Sequence, residues 1–549
     1  MKRSHFIKTV GISIGASLLF KPYGSIAGEP APAELDYPNK VSAIINDQLV
    51  TLNGNGSVWE HNGTIVKLNK KKASLEIQIE SPRTPLSEVH MQWNVPSKAT
   101  SLLFNDSWER TYGDSSWHKA KEEELFPWFF MESHANTTYG FGVKTGCNTF
   151  CGWLLSDGKM ALIIDTRNGA DGVVLGQRKL NAAEIVAFKS KEGEPHFAAT
   201  RRFAKLMCAK PRLPQAPVYG INDWYFTYGN NSAELIMQHT GLIAPMAAGN
   251  KNRPFSVIDD GWFVVSEKGQ AADVLRPNNK FGDMQKLAVR IKDTGMRPGL
   301  WSRPLLAVEG ARENLLLRTS GNVVYDPSID ENLERVSTIF KTYKEWTYEL
   351  IKFDYTSWDV FQKWGFQMLP DRTMAKTSNW RMNDTSKTNA EIILNFYKRI
   401  RDAAGPMYII GCNTFSHLSA GLFELNRIGD DTSGNEWART VKMGVNTLAA
   451  RAFTHNIFYA ADADCAGVTT KVDWSKSKRW MELVAKSATP LFISAQPEAV
   501  GNDQKKFIKD FFALASQDRP VGEPMDWKEN FTPSKWKLDG VIEEFSWDS

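Results

Sequence analysis

A β-sandwich followed by a (β/α)₈ barrel is the architecture this sequence predicts, and three observations predict it. At 549 residues the chain exceeds what one hydrophobic core fills, so two or three domains are expected. From about Val41 to Ala199 the sequence is a series of short alternating runs separated by turn residues, the pattern of an antiparallel β-sandwich. Beyond residue 217, apolar strand-like runs alternate with helical stretches, and eight such strands can be counted. Eight βα repeats point to a closed barrel rather than an open sheet.

In chain order, residues 1–28 read as an export segment. "MKRSHFIK" is basic, "TVGISIGASLLF" is apolar but too short to span a bilayer, and "SIAG" supplies small residues for cleavage. The Lys2-Arg3-x-x-Phe6-Ile7-Lys8 pattern resembles a twin-arginine signal with Lys for the first Arg. An exported, periplasmic or extracellular protein without stable membrane insertion is therefore expected. The sandwich is placed at 33–208, with "ASLEIQIES", "YGFGVKTG" and "KMALIIDTR" as strands and "NGNGS" and "RNGADG" as breaks. "AKPRLPQAP" at 209–217 is a proline-punctuated linker.

The barrel follows at 218–515, and its strands are predicted in "VYGINDWY", "FSVIDDGW", "MRPGLWSRP", "ELIKFDYT", "MYIIGCN", "ELNRIGDD", "NIFYAADAD" and "TPLFISAQ". The fifth and sixth are close together. "ENLERVSTIFKTYKEW" and "TNAEIILNFYKRIRDAAG" read as helices, the second with Thr388 or Asn389 to cap it and Gly405 just past its end. Residues 516–549 form a short C-terminal β segment.

Composition narrows the function. A net charge of +4 argues against nucleic acid as a partner. The 19 tryptophans suit either sugar stacking or a large β core. Five cysteines, at 147, 151, 208, 412 and 465, lack metal-site spacing and are expected as buried or free thiols. No His-x-x-x-His motif is present, so no metal and no cofactor is implied.

The chemistry lies at the strand ends. In such a barrel the carboxyl ends of the strands face one pocket. Collecting them gives Trp224, Asp259, Asp260, Trp301, Lys352, Asp354, Cys412, Asn413, Arg427, Asp431, Asp462 and Asp464. A single strand-end Asp is ordinarily a turn or cap residue. Six carboxylates around one mouth would repel one another unless they bound hydroxyls or a cation. Polyhydroxylated substrate fits: carboxylate pairs accept from vicinal hydroxyls, Lys352 donates, indoles stack on the ring, and two further carboxylates can flank a glycosidic bond. Asp430 competes with Asp431, and alternation turns only one of them inward. Asp259 and Asp260 can both face the pocket only if the strand ends there in a turn or bulge. Trp358, Trp364 and Trp380 in the loop after the fourth strand, and Asp106, Trp108 and Arg110 in "NDSWERTYG", are assigned to packing.

"SVIDDGW", "GLWSRP", "IKFDY", "RIGDD" and "DADC", in this order over residues 215–510, resemble the signature stretches of glycoside hydrolase clan D. That clan contains the α-galactosidases of families 27 and 36, and the preceding sandwich is similar to family 36. The resemblance implies Asp354 as nucleophile and Asp431, fourth after Arg427, as acid/base. It implies Lys352, Asp259 and Asp260 on the ring hydroxyls, Trp301 and Cys412 lining the pocket, and Arg427 near the 2-position substituent or bracing a carboxylate; Trp224 and Asn413 join them as strand-end residues. Asp462 and Asp464 are similar to the clan's D-P-D stretch, with Ala463 for Pro. Asp223 stands where the family has Ser. "GVIEEFSWDS" resembles the opening of the family's C-terminal β-domain, which predicts a reduced or truncated segment there.

The implied activity is exo-acting, retaining hydrolysis of terminal α-galactoside-type bonds in an oligosaccharide or glycoconjugate. Alternatives within the clan are α-N-acetylgalactosaminidase, β-L-arabinopyranosidase and α-glucosidase. A non-catalytic carbohydrate-binding barrel is the alternative outside enzymes. Two electrostatic expectations accompany this reading. Lys352 should help keep Asp354 ionised, and proximity to Asp354 should raise the pKa of Asp431.

Overall fold

The computed structural model describes residues 35–95, 101–121, 124–156, 158–317, 323–368 and 380–548; the predicted export segment lies outside them. Two antiparallel sheets form the N-terminal part. The six-stranded sheet has Leu86–Asn94 and Lys159–Asp165 at its centre. The eight-stranded sheet has Leu75–Glu80, Leu180–Lys189 and Thr137–Val143 at its centre. Alternation decides which face is covered: in Leu75–Glu80 the residues Leu75, Ile77 and Ile79 are buried. The two sheets meet through aromatic side chains, Trp153 of one lying 5.9 Å from Phe130 and 6.2 Å from Phe141 of the other. "NGNGS" is not merely a break, because Asn53–Asn55 pairs with Val58–His61 as a hairpin strand.

The second part is a curled parallel sheet of nine segments with helices, a TIM-like barrel. All eight predicted strands are present but shorter: Tyr219–Asn222, Phe255–Ile258, Arg297–Ser302, Leu350–Phe353, Tyr408–Gly411, Leu425–Arg427, Ala460–Asp462 and Leu491–Ala495. The first seven pair in sequence order, and Tyr219–Asn222 also pairs with the eighth, Leu491–Ala495. The ninth segment, Cys465–Val468, was not predicted. It pairs with Leu491–Ala495, whereas Ala460–Asp462 pairs with Leu425–Arg427. The two edges of the sheet are thus separated in the chain only by Ala463 and Asp464. Asp464 has φ 73°, a left-handed kink that ends one ladder and starts the other.

Local chemistry explains the shortened elements. "VYGINDWY" was expected as strand throughout, but Asn222 Oδ1 accepts from the Trp224 N–H at 3.0 Å, and Trp224–Thr227 turns into a helix. The tight fifth-to-sixth connection holds only the short helix Ser416–Ser419. Thr388 caps the helix Asn389–Ala404, its hydroxyl accepting from the Glu391 N–H while Glu391 accepts from Thr388 N–H, and Gly405 ends it. Residues 523–544 form a three-stranded antiparallel sheet, in which Val541 and Ile542 are exposed on the edge strand Val541–Glu544.

One contact between the two parts brings the sandwich to the mouth of the barrel. The segment around Thr111 lies alongside the continuation of the sixth barrel strand. Thr111 N–H donates to the Ile428 carbonyl at 2.9 Å, and Asp430 N–H donates to the Thr111 carbonyl at 3.1 Å. Gly429, between them, has no room for a side chain: a Cβ there would fall 2.4 Å from Thr447 Oγ1 and 2.5 Å from the Met443 carbonyl.

Candidate active site

At the carboxyl ends of the barrel strands lies a cavity of about 270 Å³, a little below the usual size range of small-molecule pockets, about 300–1,000 Å³. Asp354 lines it, one residue past the strand Leu350–Phe353. Three N–H groups hold its carboxylate. Oδ1 accepts from the main chain of Tyr355 at 2.7 Å and of Asn413 at 3.1 Å, and Oδ2 accepts from Trp301 Nε1 at 3.2 Å. The first bond requires Tyr355 at φ 71°, a left-handed conformation that costs a side-chain-bearing residue on the order of 1 kcal/mol. Trp301 is fixed in turn, its ring stacked on Phe263 with centroids 5.9 Å apart.

Beside Asp354 is the acidic pair. Asp259 and Asp260 both line the cavity because the strand stops at Ile258 and the chain turns sharply at Gly261. Gly261 has φ 109°, and a Cβ there would fall 2.4 Å from the Gly229 carbonyl. Lys352 Nζ is 2.7 Å from Asp259 Oδ2, which also accepts from Asn222 Nδ2 at 2.6 Å. Lys352 is therefore the partner of Asp259 rather than of Asp354, which corrects the sequence expectation. Burial is the largest single influence and opposes the charge on Lys352, but Asp259, together with Cys412 and Asp464 behind it, holds the ammonium well above the ordinary lysine range. Asp260 is pushed up to about 6, first by burial and then by the charge of Asp259. Asp223 lies behind the pair, accepting from the Asp259 N–H at 2.7 Å, and burial and Asp259 raise it likewise to about 6.

The second carboxylate, Asp431, is met by guanidinium groups at and behind the cavity wall. Arg427 Nη2 donates to Asp431 Oδ1 at 3.2 Å, and Arg110 Nη1, from the sandwich, is 4.0 Å from the same oxygen. Burial pushes the Asp431 carboxyl up, but Arg427, Arg110 and Lys352 together overcome it and hold it at about 2. The expected rise is reversed, because the nearest charges are cations and one of them comes from outside the barrel. Asp430 was expected to turn away, yet it also lines the cavity. Both its oxygens are occupied, by Arg110 at 2.6 Å and Arg439 at 2.9 Å.

Of the residues predicted from strand ends, Trp224, Asp259, Asp260, Trp301, Lys352, Asp354, Asn413 and Asp431 line this one cavity. Cys412, Arg427, Asp462 and Asp464 stand behind its wall. The Cys412 thiol lies 3.5 Å from Arg110 Nη1 and 3.8 Å from Arg427 Nη1. Asp464 Oδ2 pairs with Arg427 at 2.8 Å and accepts from Tyr225 OH, Thr432 N–H and Thr432 Oγ1. Asp462 accepts from the Asp464 N–H at 3.0 Å, and burial raises its pKa to about 6.

Sequence reasoning missed Tyr112, Tyr355, Phe366 and Arg439 as lining residues, and it gave Arg110 and Trp364 packing roles only. The usable signal was "NDSWERTYG", a stretch dense in charges and aromatic rings within a loop. At the rim, Trp358 stacks on Trp364 with centroids 4.9 Å apart, and Phe366 stands half exposed against Tyr112. Trp380 is buried against Phe361. Among the described residues no cluster of three His, Cys, Asp or Glu could hold a metal ion, and all five cysteines are buried and free.

No family model matches the chain, and no curated protein matches it. Solved structures do. An α-galactosidase from Thermus thermophilus in complex with p-nitrophenyl α-D-galactopyranoside is 16% identical with a TM-score of 0.59, the match covering 92% of this chain and 99% of that one. A GH36 α-galactosidase from Geobacillus stearothermophilus, in complex with 1-deoxygalactonojirimycin, is 14% identical with a TM-score of 0.60, covering 94% and 80%. A GH31 family sulfoquinovosidase from E. rectale is 11% identical with a TM-score of 0.56, covering 93% and 87%. At these identities the chain shares with all three a fold: a β-rich part joined to a TIM-like barrel.

Proposed function

We propose that this protein is an exported, exo-acting glycoside hydrolase that removes a terminal α-galactose-type sugar with retention, in two steps, on a (β/α)₈ barrel whose seventh strand is interrupted at Ala463–Asp464. The observation that carries the reading is Asp354. It is a carboxylate fixed by three N–H donors at a strand end, and it lines a cavity sized for a single sugar ring together with a second carboxylate, Asp431. The solved α-galactosidases of the same fold support the substrate class.

In this reading Asp354 attacks the anomeric carbon, and the glycosidic oxygen leaves with a proton from Asp431. Water, deprotonated by Asp431, then releases the sugar from Asp354. Asp259, Asp260 and Lys352 hold the ring hydroxyls, and Trp224 and Trp301 wall the ring. Asp431 is ionised in the free site, which suits its second role as base. For the first it gains a proton as the sugar displaces water, because desolvation is the largest influence already pushing this carboxyl upward.

The ionised Asp431 also favours a second reading, a carbohydrate-binding barrel without turnover. A screen of 4-nitrophenyl glycosides with wild type and Asp354→Ala separates the two. Cleavage of the α-galactoside by wild type, lost in the variant, supports hydrolysis. Cleavage of the α-N-acetylgalactosaminide, β-L-arabinopyranoside or α-glucoside instead would reassign the sugar. A sugar-induced rise in Tm with no cleavage would identify the binding protein.

A further inference from the structure

Glu109 is a buried carboxylate that the reaction as described does not use. It belongs to the sandwich segment that pairs with the sixth barrel strand, and its side chain is 0% exposed. Its Oε1 accepts from Asn413 Nδ2 at 2.8 Å and from Tyr112 OH, while Arg110 Nε is 3.5 Å away. Oε2 has no well-formed hydrogen bond; Ser357, close enough to favour the ionised carboxylate, meets it only in poor geometry. A half-satisfied buried carboxylate is a poor stabilising element, since desolvation is incompletely offset. Hydrophobic packing would serve a purely structural contact at least as well.

What Glu109 does hold is Asn413, which stands in a bend just past the end of the fifth strand, where no ladder fixes the peptide plane. The main-chain N–H of that same residue donates to Asp354 Oδ1. Anchoring the Asn413 side chain therefore orients the N–H that aims the carboxylate. The segment carrying Glu109 is itself pinned to the barrel. Arg451 Nη2 donates to the Glu109 carbonyl at 3.1 Å and pairs with Asp106.

We propose that Glu109 is a positioning residue for Asp354, acting through Asn413, so that the sandwich sets the angle of attack in the barrel; the proposal rests on the glycosidase reading above. The test uses the full chain with Glu109→Leu, Glu109→Gln, Asn413→Ala and the Glu109→Leu/Asn413→Ala double variant. It is assayed on a 4-nitrophenyl glycoside that wild type cleaves, with Tm recorded alongside. A carboxylate misplaced by a fraction of an ångström to 1 Å loses about 10²-fold in rate, so kcat of Glu109→Leu should fall by about that factor with KM within about twofold. Glu109→Gln keeps an oxygen able to accept from both Asn413 and Tyr112, and should stay within about threefold of wild type. The double variant should be no worse than Asn413→Ala alone, because the two act in series.

Wild-type kcat in Glu109→Leu, equal losses in Gln and Leu, or additive losses in the double variant would each overturn the proposal. Should Glu109→Leu fail to fold, retained kcat in Glu109→Gln with loss in Asn413→Ala supports it, and the converse overturns it. If wild type cleaves no glycoside, the hydrolase reading fails on its own. The positioning claim is then decided by crystal structures of wild type and Glu109→Leu. An Asn413 N–H pulled beyond hydrogen-bond distance of Asp354 supports it, and an unmoved one overturns it.

Discussion

The two sides of the cavity hold their carboxylates by different physics. Asp354 is held by neutral N–H dipoles, all of them from the barrel. Asp431 is held by full positive charges, one of which the sandwich supplies. Dipoles orient a carboxylate without cancelling its charge, which suits a group that must attack. Guanidinium groups hold a carboxylate anionic, which suits a base and burdens an acid. One wall of the site therefore provides geometry and the other sets protonation.

The contrast can be broken first on the Asp354 side. Asp354→Ala should abolish turnover, with a loss on the order of 10⁴-fold or more in kcat. Sugar affinity, measured by thermal shift, should remain, because Asp259, Asp260 and Lys352 are intact.

A smaller loss is expected on the Asp431 side, and it should depend on the leaving group. Asp431→Asn should reduce oligosaccharide hydrolysis by about 10²–10⁴-fold, the usual contribution of proton transfer. A 4-nitrophenolate leaves without a proton, so release of the first product from the aryl glycoside, read as a pre-steady-state burst, should be little affected. Equal losses on both substrates would remove Asp431 from the acid role. Arg110→Gln sharpens the same point. Withdrawing one cation raises the Asp431 pKa, so the fall in oligosaccharide kcat/KM with rising pH should move to higher pH.

Next comes a pH effect at Asp260, one of the residues proposed to hold the sugar. Asp260 has a raised pKa of about 6, so below that pH it is protonated and loses its capacity to accept two hydroxyl bonds. Binding of a neutral sugar should weaken as pH falls through 6, and calorimetric titration would register it. Asp260→Asn should flatten that dependence.

The smallest effect on activity is expected at Asp223, and it is one of stability. Its folded pKa of about 6 lies above the unfolded value, so the native state holds the extra proton and stability falls as pH rises from about 4 to 6. The displacement corresponds to roughly 3 kcal/mol at its full extent. Asp223→Asn should remove this share, giving a Tm that declines less between pH 4 and 7 than in wild type.

How much of this was legible in the sequence depended on the distance over which each interaction acts. The strand ends could be read because a buried parallel strand is a short apolar run, and the residue that stops it faces the mouth. Asp259, Lys352, Asp354 and Asp431 were all found in that way. The charge state of Asp431 could not be, because Arg110 lies 320 positions before its ion-pair partner Asp430 and no local pattern links them. The ion-pair partner of Lys352 was missed for a related reason. Its spacing from Asp354 placed both in the pocket, but spacing along one strand says nothing about a strand two places away in the sheet, at whose end Asp259 waits 2.7 Å away. The break at Asp464 was equally hidden, since "NIFYAADAD" reads as one uninterrupted run.

That break gives the barrel a seam. Between Asp462 and Cys465 the ladder is replaced by one carboxylate, Asp464, that collects Tyr225 from the first βα unit, Thr432 from the sixth and the Arg427 that also braces Asp431. Closure at this point is carried by side chains, and main-chain amides outside a ladder exchange with solvent through smaller, local openings. Hydrogen exchange at residues 463–464 would therefore sense the state of the active site from behind its wall, changing whenever a bound sugar alters the pairing of Asp431 with Arg427.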